Sequence, residues 1–280
     1  MKKGKIKALL VLLVIVLAGI YYYVTIPAIN IHSTGIWIFI LLVLVLILAA
    51  YAAKKKFTSI REVKSSKFLK IGGIVLMAVL LVFAAGSILS SPIVNAKQYR
   101  NLLTIEERDF SEDIQPVNFS QIPLLDKDSA MILGNRKMGS MVDMVSQFEA
   151  DDIYSQINYK DNPVRVTPLR YASVIKWFTN RSEGIPAYIR INMANQNTEL
   201  VKLDKGMKYV NSEYFNRNIY RHLRFAHPTY IYGDLSFEID DDGVPYWIAP
   251  VKKYNIGLFG GETIGKVVIC NAITGETTTY

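Results

Sequence analysis

The chain has 280 residues, 51% of them hydrophobic, and carries a formal charge of +8. The charge does not form a nucleic-acid surface. Lys2, Lys3, Lys5 and Lys7 crowd the N-terminus, and Lys54, Lys55, Lys56, Arg61, Lys64, Lys67 and Lys70 face only Glu62, which leaves everything past residue 70 at a net −2. The single cysteine, Cys270, excludes an intrachain disulfide and with it a disulfide-stapled secreted domain.

Three uncharged stretches come first, at residues 8–26, 36–53 and 71–89. A hydrocarbon core of roughly 30 Å needs about 20 helical residues. Backbone groups in lipid must be satisfied within the segment, so three transmembrane helices are predicted, forming an anchor over residues 1–91. None carries an internal charge, which argues against an ion path through these helices alone. Basic residues lie before the first stretch and between the second and third, whereas residues 27–35 hold no Lys or Arg. The expectation is a multi-pass protein of the cell membrane, N-terminus cytoplasmic and the remainder extracytoplasmic. Tyr21, Tyr22, Tyr23 and Trp37 then fall near the outer interface. Gly72, Gly73, Ala78, Ala84, Ala85 and Gly86 give the third helix the small residues that close packing uses. Val94-Asn95-Ala96 resembles a signal-peptidase site, so release by cleavage after Ala96 is the alternative fate.

Residues 92–127 read as a polar, partly extended lead-in. A first α+β unit is predicted over 128–208. Asp128 caps a helix whose apolar stripe is Met131, Gly134, Met138, Met141, Val145 and Phe148. Short strands follow at 153–159 and 163–166. Thr167-Pro168 predicts a second helix start, with Tyr171, Val174, Ile175 and Phe178 buried and Gly184 at its end. Residues 187–193 and 198–203 form a hairpin.

A second unit is predicted over 209–280. Residues 212–227 are helical, with Phe215, Ile219, Leu223 and Ala226 on one face and Pro228 as the stop. Leu235, Phe237 and Ile239 alternate with polar residues, Asp242-Gly243 turns the chain, and 244–251 returns. Residues 266–271 and 277–280 flank Thr274-Gly275. Both halves run from a helix through strands into a hairpin rich in Asn, Thr and Gly with a Glu after the turn, Asn192 to Glu199 and Asn271 to Glu276. That is the outline of a tandem repeat, each helix covering one face of a small antiparallel sheet.

Pro245-Tyr246-Trp247-Ile248-Ala249-Pro250-Val251, with Lys266 to Ile269 and Cys270-Asn271-Ala272-Ile273-Thr274-Gly275-Glu276, resembles a PepSY domain. The match covers about 212–280 and extends less clearly to 167–203. Asn271 stands where that family usually has Asp. A wider resemblance, carried by residues 121–130, 163–169 and 257–261, is to membrane-anchored proteins of obscure role from Clostridia-like Gram-positive bacteria, whose members run on past the point where this chain ends. The PepSY resemblance implies restraint of a protease or regulation at the cell envelope; no motif in the chain calls for a cofactor.

Residues for hydrolytic or metal chemistry are sparse. His222 and His227 are five apart, about 140° around a helix, a poor pair of metal ligands. Cys270 alternates into a strand as a small core residue. Asp240-Asp241-Asp242-Gly243 lacks the spacing of a calcium loop and reads as a turn. Gly257-Leu258-Phe259-Gly260-Gly261 lacks the Lys-Ser/Thr of a phosphate cradle and reads as a tight or flexible loop. Arg217, Arg221 and Arg224, at i, i+4 and i+7 of the predicted helix, are candidates for binding an anionic cell-wall polymer or lipid headgroups; a solvated face paired with carboxylates is the plainer reading. The leading expectation is a non-enzymatic anchored protein binding an envelope partner such as a protease. A wall-directed enzyme using carboxylates such as Asp126 and Asp128, and a sensory or assembly subunit of a membrane complex, are the alternatives.

Overall fold

The computed structural model describes residues 2–55, 66–103, 105–114, 116, 118 and 121–280, with side chains from residue 8 onward. Lys56, Arg61, Glu62 and Lys64 of the predicted basic loop, and the side chains of the N-terminal lysines, lie outside the described residues. The chain is α+β. It divides into two compact units: one holds Met1–Thr104, Pro228–Ile231 and Lys252–Thr263, the other Ile105–His227, Tyr232–Val251 and Ile264–Tyr280.

In the first unit the apolar stretches are helices α1 (Lys2–Thr25), α2 (Thr34–Lys55) and α3 (Lys67–Leu89). Among the described residues these three are long and apolar enough to cross a membrane, and no part of their windows is buried within the chain. Their apolar side chains therefore require an apolar surrounding. α2 packs between α1 and α3. A Cβ at Gly72 would strike Leu48, so this glycine is where α3 and α2 approach, whereas Gly73 faces open space. Part of the expected lead-in is helical instead: α4 (Pro92–Arg100) starts with Pro at its first turn and kinks at Asn95. The Val94-Asn95-Ala96 segment is therefore folded, with Asn95 Nδ2 donating to Leu89 O and Ser91 O.

In the second unit a short helix α5 (Phe110–Asp113) precedes α6 (Lys127–Gly139). The cap of α6 is Asp126, accepting from Ser129 N at 2.7 Å, two residues before the predicted Asp128, which lies in the first turn. α6 stops at Gly139, and Phe148 belongs to strand β1 (Phe148–Ala150). Its buried face is Ala130, Gly134 and Met138; Gly134 is needed because a Cβ there would strike Tyr154.

Strands β2 (Ser155–Tyr159), β3 (Asn162–Tyr171), β4 (Ile185–Asn192) and β5 (Thr198–Met207) form an antiparallel meander, and β1 pairs the far half of β3. Lys160 and Asp161, both at positive φ, make the two-residue β2–β3 turn. Thr167-Pro168 does not start a helix; it lies inside β3, opposite Ile189 and Tyr188. The reason is local. β2 pairs as far as Val166 and β1 begins at Leu169, while Pro168 O accepts from Asp151 N, so the side of Pro168 lacking an N–H faces the gap between the two partners. The helix that follows, α7 (Val174–Asn180), is short and is capped by Ser173. It buries Trp177 and leaves Val174, Ile175 and Phe178 exposed, the reverse of the predicted face.

The predicted helix over 212–227 is split. A 3-10 turn occupies Phe215–Arg217, and α8 (Ile219–Ala226) begins afresh with Asn218 as cap. Ile219, Leu223 and Arg224 are its buried residues, while Ala226 is exposed. Strands β6 (Ser236–Ile239), β7 (Pro245–Ile256), β8 (Gly260–Asn271) and β9 (Thr277–Thr279) form the second antiparallel sheet. Tyr188, Phe237 and Trp247 form one aromatic core across the two sheets, with ring centroids 6.1 and 5.4 Å apart.

The two helix-plus-meander halves correspond at their asparagine turns and in the hydrogen bonds around them. Asn192 Oδ1 accepts from Ala194 N and Asn195 N, as Asn271 Oδ1 accepts from Ile273 N and Thr274 N. Met193 N donates to Pro163 O, as Ala272 N donates to Pro245 O. The carbonyl of Met193 receives the N–H of Leu124 before α6, and that of Ala272 receives those of Lys208 and Tyr209 before α8. Even a side-chain donor repeats: Arg165 Nε reaches Leu125 O, and Trp247 Nε1 reaches Tyr209 O. An Asp carboxylate could accept the same pair of N–H groups as Asn271, so the departure at this position keeps the turn.

Candidate functional site

The second sheet buries Phe237, Trp247, Ala249, Val268 and Cys270 on one face. The opposite face, carrying Glu238, Tyr246, Ile248, Ile269 and Thr278, lines a cleft of about 460 Å³ that is open to solvent. Tyr246, Ile248 and Ile269 are half-exposed there, an apolar floor that no element covers among the described residues. Burial pushes the Glu238 carboxyl above its ordinary range. Asp240, at the rim, is occupied as a turn residue: its Oδ1 accepts from Asp242 N and Val244 N.

On the corresponding face of the first sheet an ion pair lies over the floor, and Tyr188 packs on Phe237 of the second sheet. Arg190 stands where Ile269 does and Glu199 where Thr278 does. Their ion pair is 2.6 Å long, and the guanidinium lies 4.5 Å from the Tyr159 ring. Val164 and Val166, the counterparts of Tyr246 and Ile248, are buried. Two hollows flank the pair, one of about 260 Å³ beside Asn192 and Asn197 and one of about 540 Å³ between Tyr188, Val201 and the Asp242-Gly243 turn.

A second surface surrounds Trp177. The buried carboxylate of Glu213 accepts from Tyr171 Oη at 2.9 Å and from Trp177 Nε1 at 2.7 Å. Burial and the neighbouring Glu213 charge push the Tyr171 hydroxyl strongly upward, so it remains a donor. Tyr214 and Phe215 pack beside Trp177 with centroids 4.7 and 6.1 Å away. Phe215 has φ +54, a backbone region that costs a bulky residue about 1–2 kcal/mol, yet its ring is mostly exposed.

A third feature lies in the first unit. The turn between β7 and β8, which contains Gly257, Gly260 and Gly261, is seated on the end of α3. Leu258 N and Phe259 N both donate to Ser90 Oγ, at 2.8 and 3.0 Å, and Gly261 N donates to Tyr99 Oη, which donates to Ser90 O. A Cβ at Gly260 would strike Ser90 O and Tyr99 Oη, so the glycines are there for close approach of backbone, not for phosphate. His32 Nδ1 lies 2.7 Å from Leu258 O and its ring stacks on Tyr254, while Phe259 joins Phe83 and Trp37.

The three candidate arginines do not form one stripe. Arg217 belongs to the 3-10 turn and donates to Arg181 O, Arg221 is half-buried on α8, and Arg224 is buried with its guanidinium 5.6 Å from the Tyr232 ring. The i, i+4, i+7 spacing aligns the three only on a continuous helix, and the cap at Asn218 breaks it. Arg217 is instead a neighbour of Arg181, which sequence spacing did not bring forward. The available signal was Trp177-Phe178: two adjacent large rings on a seven-residue helix cannot both face inward.

The remaining candidates take structural places. Asp126 caps α6, and the N–H and hydroxyl of Ser129 hold its carboxyl below the usual range. His222 Nε2 lies 2.7 Å from Gly275 O, and burial lowers His227. Cys270 is buried, its thiol pushed up to about 12. Among the described residues no cluster of three or more His, Cys, Asp or Glu could hold a metal ion. Compared with protein-family models, with curated proteins and with solved structures, the chain matches none.

Proposed function

We propose that this is a non-enzymatic, membrane-anchored protein whose PepSY-like second repeat binds an envelope partner, such as a protease, on the open face of its sheet. The observation that carries the reading is the contrast at one position of the repeat: the place held by the Arg190–Glu199 ion pair in the first sheet is apolar in the second, where Ile269 and Thr278 stand over Tyr246 and Ile248. The three apolar helices support insertion in a bilayer, and the placement of basic residues favours an extracytoplasmic α+β part. Orientation is tested by impermeant-maleimide labelling of intact cells expressing Asp241→Cys in a Cys270→Ser background; an unlabelled but folded protein sinks it. Binding is tested with a photo-crosslinker replacing Thr278 in the full chain in its native membranes. A stoichiometric envelope protein, captured there and lost on Ile248→Arg, is the expected result; capture that ignores Ile248→Arg overturns the reading.

A second reading, a sensory or assembly subunit, has its own support. The β7–β8 turn is clasped to Ser90 and Tyr99, a polar contact made at the end of α3 rather than a free loop.

A further inference from the structure

We propose that the surface around Trp177 is a lipid-headgroup contact: an anionic phospholipid surface takes up its exposed rings and aliphatic chains while its arginines meet the phosphates. Ile175, Phe178 and Phe215 are 74%, 63% and 62% exposed, and Val174 and Tyr214 adjoin them. These side chains protrude from a short helix and a tight turn. Tyr214 and Phe215 line a hollow of about 460 Å³ together with Trp177, Arg181 and Arg217, an apolar slot with two cations at its edge that suits an acyl chain beneath its phosphate. The cations are held in the same surface. The Arg181 guanidinium lies 5.2 Å from the Trp177 ring and 4.8 Å from the Phe178 ring, and Arg217 is tied to the carbonyl of Arg181. Lys176 lies on the same helix. Of the nearby carboxylates, Glu213 is buried and spent on Tyr171 and Trp177, and only Glu183 faces solvent. The patch is thus apolar at its centre and net positive, the pairing that binds an anionic interface.

The strained backbone at Phe215 fits the same role, since its cost is not returned by burying the ring in the protein.

The test uses the full chain in nanodiscs of phosphatidylcholine with or without phosphatidylglycerol, and an environment-sensitive fluorophore on the thiol introduced by Phe178→Cys. Cys270, buried and with its thiol raised, stays unlabelled. Thr278→Cys serves as the control. The expected result is blue-shifted emission at position 178, quenched by spin-labelled lipid, only in discs containing phosphatidylglycerol, weakened by salt and abolished by Arg181→Glu with Arg217→Glu. Water-like emission at 178 in both discs overturns the proposal. So does a response produced by added polyphosphate but not by the anionic disc, which assigns the surface to a soluble anionic polymer. Shielding that appears only in native membranes overturns it in favour of a protein partner. Failure of the chain to enter discs at all would instead refute the membrane-anchored reading, and is seen separately at reconstitution.

Discussion

In the first repeat, Arg190 is clamped between the Tyr159 ring and Glu199, above two buried valines. In the second, Ile269 and Thr278 occupy the same two places above Tyr246 and Ile248, and the cleft stays open at about 460 Å³. The backbone scheme is common to both, down to the asparagine turns and the proline carbonyls that receive them. The difference therefore lies in a few side chains on one face, which is how a repeat gains a binding surface without altering its fold. Transplanting the clamp is the strongest way to break the comparison. Ile269→Arg with Thr278→Glu should abolish partner capture at the second sheet while changing unfolding free energy by no more than about 1 kcal/mol, the usual range for a partly exposed pair. Capture that survives a closed cleft would show that the partner binds elsewhere.

The turns at the ends of the two sheets differ in a way that stability can read. Gln196 and Gly275 hold the same left-handed position, at φ +63 and +79. Gln196 is exposed, but a Cβ at Gly275 would strike the Tyr209 ring, which packs 4.4 Å from the His222 ring. Exchanging the residues should thus be asymmetric. Gly275→Gln is expected to cost about 3 kcal/mol, the sum of backbone strain and overpacking. Gln196→Gly is expected to be neutral or to stabilise by up to about 1 kcal/mol. Chemical denaturation of the full chain in detergent, followed by tryptophan fluorescence, measures both. Equal effects would mean that the Tyr209 contact does not constrain the turn.

Asn271→Ala removes the acceptor of two backbone N–H groups and should cost about 1–2 kcal/mol in the same measurement, whereas Asn271→Asp, which keeps the acceptor, should cost little. Asn192→Ala should behave alike if the repeat is energetic as well as geometric. A loss confined to one of the two turns would reduce the correspondence to shape.

Much of this pairing was legible in the chain. The turn residues Asn192, Asn271 and Gly275, the alternation Leu235-Phe237-Ile239 and the three apolar stretches all announced their elements, because each depends on chemistry within a few residues. What misled was a signal resolved by distant partners. Thr167-Pro168 is a sound helix start in isolation, but β1, β2 and β4 claim it for a strand. Phe215 and Ile219 share helical spacing, yet Asn218 caps between them. The open cleft was invisible because it needs the register of four strands, and the Trp177 surface because Arg181 and Arg217 meet only through the fold.

The smallest expected effect is the most specific to the open face. Glu238 pairs with Tyr246 across the strands as Ile157 pairs with Val164 in the first sheet. Burial raises its carboxyl, so the folded state disfavours the ionised form. A raised group contributes stability that is complete below its unfolded value and is lost as pH climbs through its folded value. Glu238→Gln removes that loss. The variant should therefore melt slightly above the parent at neutral pH and coincide with it at pH values below the ordinary glutamate range, in a thermal unfolding series across pH. A variant less stable than the parent at neutral pH would reveal a cation holding the carboxylate in the folded protein. The second face would then carry a charge pair after all, as the first does in Arg190 and Glu199.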